Sequence, residues 1–192
     1  MITGHLGVAG ILRSGSRRRT STVLLLALLA ASVAPDILDT VYFLLGFCSP
    51  YGLFSHTLYV VALQAGVLGG MSFLVTGSRA TALSFAGVVL LHLPADLITG
   101  HKIMIPGGDL IGLYLYAHAT LDWAVETPLA LLGWWLLRRS GRAPTWASSI
   151  GAAVFLVILQ TAVAGYALTH MTGVKPSACF ALPVPPRADT RD

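Results

Sequence analysis

Charge is what this chain has least of. Only 10% of its 192 residues are Asp, Glu, Lys or Arg, while 55% are hydrophobic and the mean hydropathy is +0.77. Soluble domains carry roughly 25% charged residues. No stretch reads as a water-facing module long enough to bury its own core, and no internal repeat or low-complexity tract is evident. One all-α, polytopic membrane helix bundle is therefore expected.

What is present in quantity is long apolar sequence. Runs at about 20–46, 52–76, 80–99, 110–137 and 146–169 are each near or above the ~20 residues that cross a bilayer. They are separated by "CSPYG", "TGSRA", "TGHKIMIPGGD" and "RRSGRAP", clusters of Gly, Pro, Ser and Arg that break helices. The sequence thus predicts about five transmembrane helices, a short N-terminal helix, and an irregular, Pro-rich tail. Residues 1–171 form the membrane domain and 172–192 the tail.

The few basic residues set an orientation. Arg13, Arg17, Arg18 and Arg19 precede the first run, Arg79 lies in the second loop, and Arg138, Arg139 and Arg142 lie in the fourth. Lys102 is the basic residue of the intervening loops, and Lys175, Arg187 and Arg191 belong to the tail. Cytoplasmic loops are enriched in Lys and Arg, so the Arg-bearing loops face the cytoplasm, as expected for a bacterial inner membrane. The net charge of +4 is then mostly topology, and nucleic-acid binding by "RSGSRRR" is the weaker reading. Residues 14–34 also read as an export signal ending in "SVA", although Pro35 directly after the cut would hinder cleavage.

Ionisable residues inside apolar helices cost about 2.5–3.5 kcal/mol for an Asp at a helix centre, and so mark function. Asp36, Asp39, Asp96, Asp109, Asp122 and Glu126 lie between the first and fourth runs, with His56, His92, His101 and His118 among them. Asp36 stands ~25 Å above Arg19 at 1.5 Å per residue, and the topology brings the histidines to the same, non-cytoplasmic level. His92/Asp96 and His118/Asp122 are pairs at i,i+4, and Asp36/Asp39 is a pair at i,i+3, spacings that aim two side chains at one target. Imidazole with carboxylate suits zinc or a similar divalent ion, and the number of donors points to two or three ions. Asp109 reads as the N-cap of the fourth helix, and Glu126 as an outer partner of a ligand or a solvated group.

These motifs resemble a family. "APDILD", "FSHTL" and "HLPADLITG" followed by "IP" are similar to the PD-x-D, T-H-S and H-x-x-x-D motifs of the inner-membrane metal-dependent hydrolase family that includes the LexA-binding membrane protein. The resemblance covers about residues 1–125. A more distant likeness is to the zinc-dependent phospholipase C and P1 nuclease superfamily. Its ligand order is similar to His5, Asp39 or Asp36, His56, His92 with Asp96, His101, and His118 with Asp122. The acids of "PDILD" are three apart where the family usually has two, "YGLF" replaces the family's His-Arg, and Asp122 stands where a Glu is usual. His5 precedes the basic loop, so it reaches the outer level only if a helical hairpin turns near Ser14 to Ser16.

The expected function is a membrane-embedded hydrolase in which metals activate water against a phosphate ester of a lipid or other amphiphile. Asp36 or Asp39 serves as the bridging ligand and base. The rival is a transporter of metal ions or protons. Its path should continue inward, yet "TVLLLALLA", "VALQAGVLGG" and "LALLGWWLL" carry no ionisable residue. A third reading is a non-catalytic partner-binding membrane protein. Cys48 and Cys179, both on the expected outer side, form one possible disulfide or stand as two unrelated thiols.

Overall fold

The computed structural model describes residues 2–14, 19–47, 53–113, 115 and 118–166. Cys48, Cys179 and the tail from 172 lie outside them. The elements are helices α1 (Ile2–Ser14), α2 (Thr22–Ser32), α3 (Ala34–Leu44), α4 (Leu58–Thr76) and α5 (Arg79–Thr99), strands β1 (Lys102–Ile103) and β2 (Leu110–Ile111), and helices α6 (Ala119–Arg139) and α7 (Ile150–Tyr166). Among the described residues the fold is all-α apart from one short antiparallel hairpin, in which Lys102 pairs with Ile111 and Ile103 with Leu110.

α4 and α5 are long and apolar enough to cross a membrane, and α2 with α3 makes a third if the pair, bent by 60°, is one broken span. The remaining two expected spans differ for local reasons. α6 contains Asp122 and Glu126 and ends in Arg138 and Arg139, and the described part of α7 is only 17 residues long. The run at 110–137 is not one helix, because Leu110–Ile111 form β2 and α6 begins only at Ala119. Asp109 consequently lies exposed in the hairpin, ten residues ahead of α6, and is not its N-cap; His118 holds that position. α4 leaves Leu63, Met71, Leu74 and Val75 exposed, as a helix that meets lipid does.

The core is made of small and branched residues. Ala9, Leu28, Ala31, Val61, Ala65, Phe85, Val88, Val89 and Leu93 join α1, α2, α4 and α5. α1 packs chiefly on α6 and also touches α5, α2 and α7. Their backbones nearly meet: a Cβ on Gly133 would lie 2.1 Å from the Gly7 carbonyl oxygen, and one on Gly7 would lie 2.5 Å from that of Leu129. Small residues let helices approach to this degree. The hairpin from α1 back to α2 is closed at its base, where buried Arg13 donates from Nε to Thr20 Oγ1 at 2.7 Å and the Thr20 N–H donates to the Arg142 carbonyl at 2.9 Å.

That base is also the aromatic end of the bundle. Trp134 Nε1 donates to the Ser149 carbonyl at 3.0 Å, and the guanidinium groups of Arg138 and Arg139 lie over the rings of Trp134 and Trp135 at 5.4 and 5.2 Å. At the other end the β-hairpin is sewn to α4 and α5. Leu58 N–H donates to the Met104 carbonyl at 2.9 Å, and Leu113 N–H to that of Leu97 at 2.7 Å. Gly112, at φ +135°, admits no side chain, since its Cβ would fall 1.9 Å from the Gly100 carbonyl oxygen.

The packing makes a directional prediction. Gly133→Ala forces α1 off α6 and lowers the thermal midpoint by about 5–10 °C, as overpacking of about 2–3 kcal/mol does in a chain of this size. Gly66, which faces open space on α4, accepts Ala without loss. Equal melting of both variants would refute the tight α1–α6 contact.

Candidate metal centre

The site grows from the end of α2. An unbroken helix would satisfy the Ser32 carbonyl within its own ladder. Here the chain breaks at Val33, whose N–H turns back to the Ala30 and Ala31 carbonyls, so the i→i−4 ladder that would join Asp36 N–H to the Ser32 carbonyl is interrupted. The released Ser32 carbonyl accepts a hydrogen bond from His92 Nδ1 at 2.9 Å. A carbonyl can only accept, so His92 carries a proton on Nδ1, which leaves Nε2 as the nitrogen free to meet a proton or a metal.

His56 is fixed in the same sense by different partners. Ser55 Oγ donates its one hydrogen to Asp39 Oδ1 at 2.5 Å and also lies 2.6 Å from His56 Nδ1. With that hydrogen committed, His56 Nδ1 must be the donor toward Ser55, and Asp39 Oδ2 stands 3.4 Å behind it. His56 Nε2 is left facing His92 Nε2 at 3.1 Å. Two lone pairs at that distance repel, so either a proton or a metal cation lies between them.

Two carboxylates complete the group. His56 Nε2 lies 3.3 Å from Asp36 Oδ1 and 3.1 Å from Asp96 Oδ2, and His92 Nε2 lies 3.6 and 3.5 Å from the same two oxygens. A tetrahedron with the 2.0–2.1 Å bonds of zinc to nitrogen and oxygen has edges of about 3.3–3.4 Å. The five measured edges bracket that value. Among the described residues this is the one set of three or more His, Cys, Asp or Glu side chains that converges closely enough to hold a metal. His56 and His92 are fully buried and Asp96 nearly so, whereas Asp36 is 33% exposed and gives the group its opening. Asp36 Oδ2 has no hydrogen-bond partner despite its burial, and Asp96 Oδ2 has ion-pair neighbours but none in good hydrogen-bond geometry, as expected of oxygens placed for an ion.

Two further side chains join from outside the group. His5 reaches it along α1: its Nε2 lies 3.1 Å from Asp96 Oδ1, and its ring stacks on His92 at 3.7 Å between centroids. The hairpin that the sequence requires for this is the one closed by Arg13 and Thr20. Lys102 Nζ, carried on β1, lies 3.0 Å from Asp96 Oδ2.

The other expected donors lie elsewhere. His101 follows Gly100 at the end of α5, partly buried and outside the four-donor group. His118 is exposed, and its non-helical backbone at the α6 N-cap takes it off the face that carries Asp122. Asp122 is buried, but in a second polar cluster. Gln160 Nε2 lies 3.4 Å from Asp122 Oδ2, Thr3 Oγ1 lies 2.6 Å from Gln160 Oε1 and 3.1 Å from Glu126 Oε2, and Gly4 N–H donates to that same Glu126 oxygen at 3.4 Å. These acids hold the start of α1, and through it His5.

Sequence reasoning missed Ser55, Lys102 and the Ser32 carbonyl. Lys102 had a signal, as the isolated cation of the non-basic loops. The Ser32 carbonyl had none, since a backbone acceptor becomes available only where a helix breaks. No protein-family model, curated protein or solved structure matches this chain.

Proton and metal compete for this group. Burial opposes charge on His56, but hydrogen bonds to Asp36, Asp39 and Asp96 push its pKa up to about 10. A divalent ion must displace that proton, so zinc affinity rises with pH by about tenfold per unit below that value. Calorimetric titration at pH 6, 7 and 8 checks the slope, and a flat profile would exclude displacement of a histidine proton. Asp36→Asn should abolish binding, while Asp39→Asn weakens it by about 10–100-fold through the orientation of His56.

Proposed function

We propose that the chain is a membrane-embedded, metal-dependent hydrolase that cleaves a phosphate ester of a lipid or similar amphiphile. The observation that carries this reading is the pair of buried imidazoles whose Nε2 atoms face the Asp36 and Asp96 carboxylate oxygens at the edge lengths of a tetrahedral zinc site. The resemblance in "APDILD", "FSHTL" and "HLPADLITG" to inner-membrane hydrolases supports it. The four-donor group accommodates one ion, and a second or third needs donors beyond it.

When bound, a divalent ion supplies Lewis acidity that polarises the ester and acidifies water. The protein's residues do the rest. Asp36 is the ligand-side acid that meets the opening, and its carboxylate takes the proton of the attacking water. The water oxygen bonds to phosphorus, the ester P–O bond breaks, and Asp36 passes the proton it received to the leaving alkoxide. Asp39 acts through Ser55 and His56 as a positioning residue, and His5 does so through Asp96. Val33, Ile37, Thr40 and Val41 line a shallow groove with Asp36 on α3, a surface suited to the apolar part of the substrate.

The Arg-rich end of the bundle is the cytoplasmic end in this reading, so the site belongs to the non-cytoplasmic side of a bacterial inner membrane. Both buried polar clusters involve the start of α1, the last turn of α5 or the start of α6. This favours a site at one face over a conduit through the bundle.

Protein purified gently in detergent is expected to hold about one zinc or comparable ion per chain, and His92→Ala to lose it together with the thermal stabilisation that the ion gives. Hydrolysis of a lipid phosphate ester should stop in chelator and return with added metal. Absence of stoichiometric metal from the wild-type protein would end the proposal.

A further inference from the structure

We infer that Lys102 is the oxyanion-binding residue of the site and receives the phosphate group of the ligand. This inference rests on the metal-hydrolase reading and adds the residue that recognises the substrate's charge. The sequence marks Lys102 as the isolated cation of the non-basic loops, and the structure puts its ammonium at the four-donor group rather than in solvent. It is 15% exposed, with Nζ 3.0 Å from Asp96 Oδ2.

Asp96 Oδ2 is also the oxygen that faces His56 and His92, and it makes no hydrogen bond of good geometry. In the metal-free state Lys102 is its counter-ion. An ion held by the four donors takes over that role. With a dication held by the four donors, the ion, Asp36, Asp96 and Lys102 sum to one positive charge, with Asp39 lying beyond the His56 ring. The ammonium is then the positive group left without an anion in a low-dielectric setting, and an incoming phosphate oxygen completes it.

The mounting of the residue fits that task. Lys102 begins β1, pinned through its neighbours by the Leu58 to Met104 hydrogen bond and by the close passage of Gly112 against Gly100. Its four-carbon stem lets a compact charge turn from Asp96 toward the opening beside Asp36 without movement of the backbone. A lysine whose role is structural would support metal binding. A lysine that competes with the ion for Asp96 opposes it, and the two roles therefore predict opposite effects on zinc affinity.

The test uses the full-length protein in detergent micelles, with inorganic phosphate as the probe and zinc content measured in every sample. Calorimetry is expected to show phosphate binding to the zinc-loaded wild type and at least tenfold weaker binding to Lys102→Met, whose zinc affinity is unchanged or higher. Lys102→Arg, which keeps the charge, retains most of the phosphate affinity. Zinc-loaded Lys102→Met that binds phosphate as well as wild type overturns the inference, as does a zinc-loaded wild type that ignores phosphate. Loss of zinc together with phosphate in Lys102→Met, unrestored by Lys102→Arg, makes the residue structural and overturns it as well. A wild type without zinc that still binds phosphate through Lys102 upholds the anion site and removes the metal reading instead.

Discussion

The hydrogen bond from His92 Nδ1 to the Ser32 carbonyl is the contact on which the site depends, and it exists because a helix is interrupted. A continuous α2–α3 rod would consume that carbonyl in its own ladder and carry Asp36 straight on. The 60° turn at Val33 does two things at once. It offers an acceptor that fixes one imidazole tautomer, and it swings the carboxylate of Asp36 to within 3.6 Å of the nitrogen so prepared. An irregular backbone inside an apolar bundle is tolerated where the freed groups find partners in the protein, and here the partner is a ligand side chain.

The parts of this arrangement that could be read from the chain are those set by neighbours in sequence. His92 and Asp96 share a helix face because they are four residues apart, and His56 stands out as a polar residue at the edge of an apolar run. The contrast between Asp36 and Asp39 was not legible, because it arises from the break: one acid points at the imidazole nitrogens, the other at the far side of His56. The place of His5 was conditional on a hairpin, and the approach of Gly7 to Gly133 realises it. Glycines at positions 4, 7 and 10 were the available sign that α1 packs backbone to backbone.

His118 and Asp122 show the opposite case. Hydropathy alone extends a helix through "LIGLYLYA", and a helix there would make the pair a second chelating unit. Instead the β-hairpin tethers that segment to α5, α6 starts at Ala119, and the two side chains part. Asp122 and Glu126 are then recruited to a different task. Thr3 offers one hydroxyl hydrogen to two acceptors, Gln160 and Glu126, and Glu126 also accepts from the Gly4 N–H. Negative or proton-sharing groups at the first turn of α1 also complement its dipole. The expectation of five spans met the same limit, since composition sees an apolar run but not the kink or strand within it.

The tryptophan and arginine pairs at the far end of α6 have a consequence for the placement of the whole molecule. Such residues favour the headgroup boundary of a bilayer. From Arg79 to Asp96, α5 rises about 25 Å at 1.5 Å per residue, close to the hydrocarbon thickness itself. A bundle moored at one boundary by its aromatic end therefore carries its buried histidines a fixed height above that boundary. In a thin bilayer they stand among the ester and phosphate linkages of the opposite leaflet, and in a thick one they sink among acyl chains. If the site acts on a lipid ester as proposed, the thickness of the surrounding membrane sets which part of that lipid it can touch.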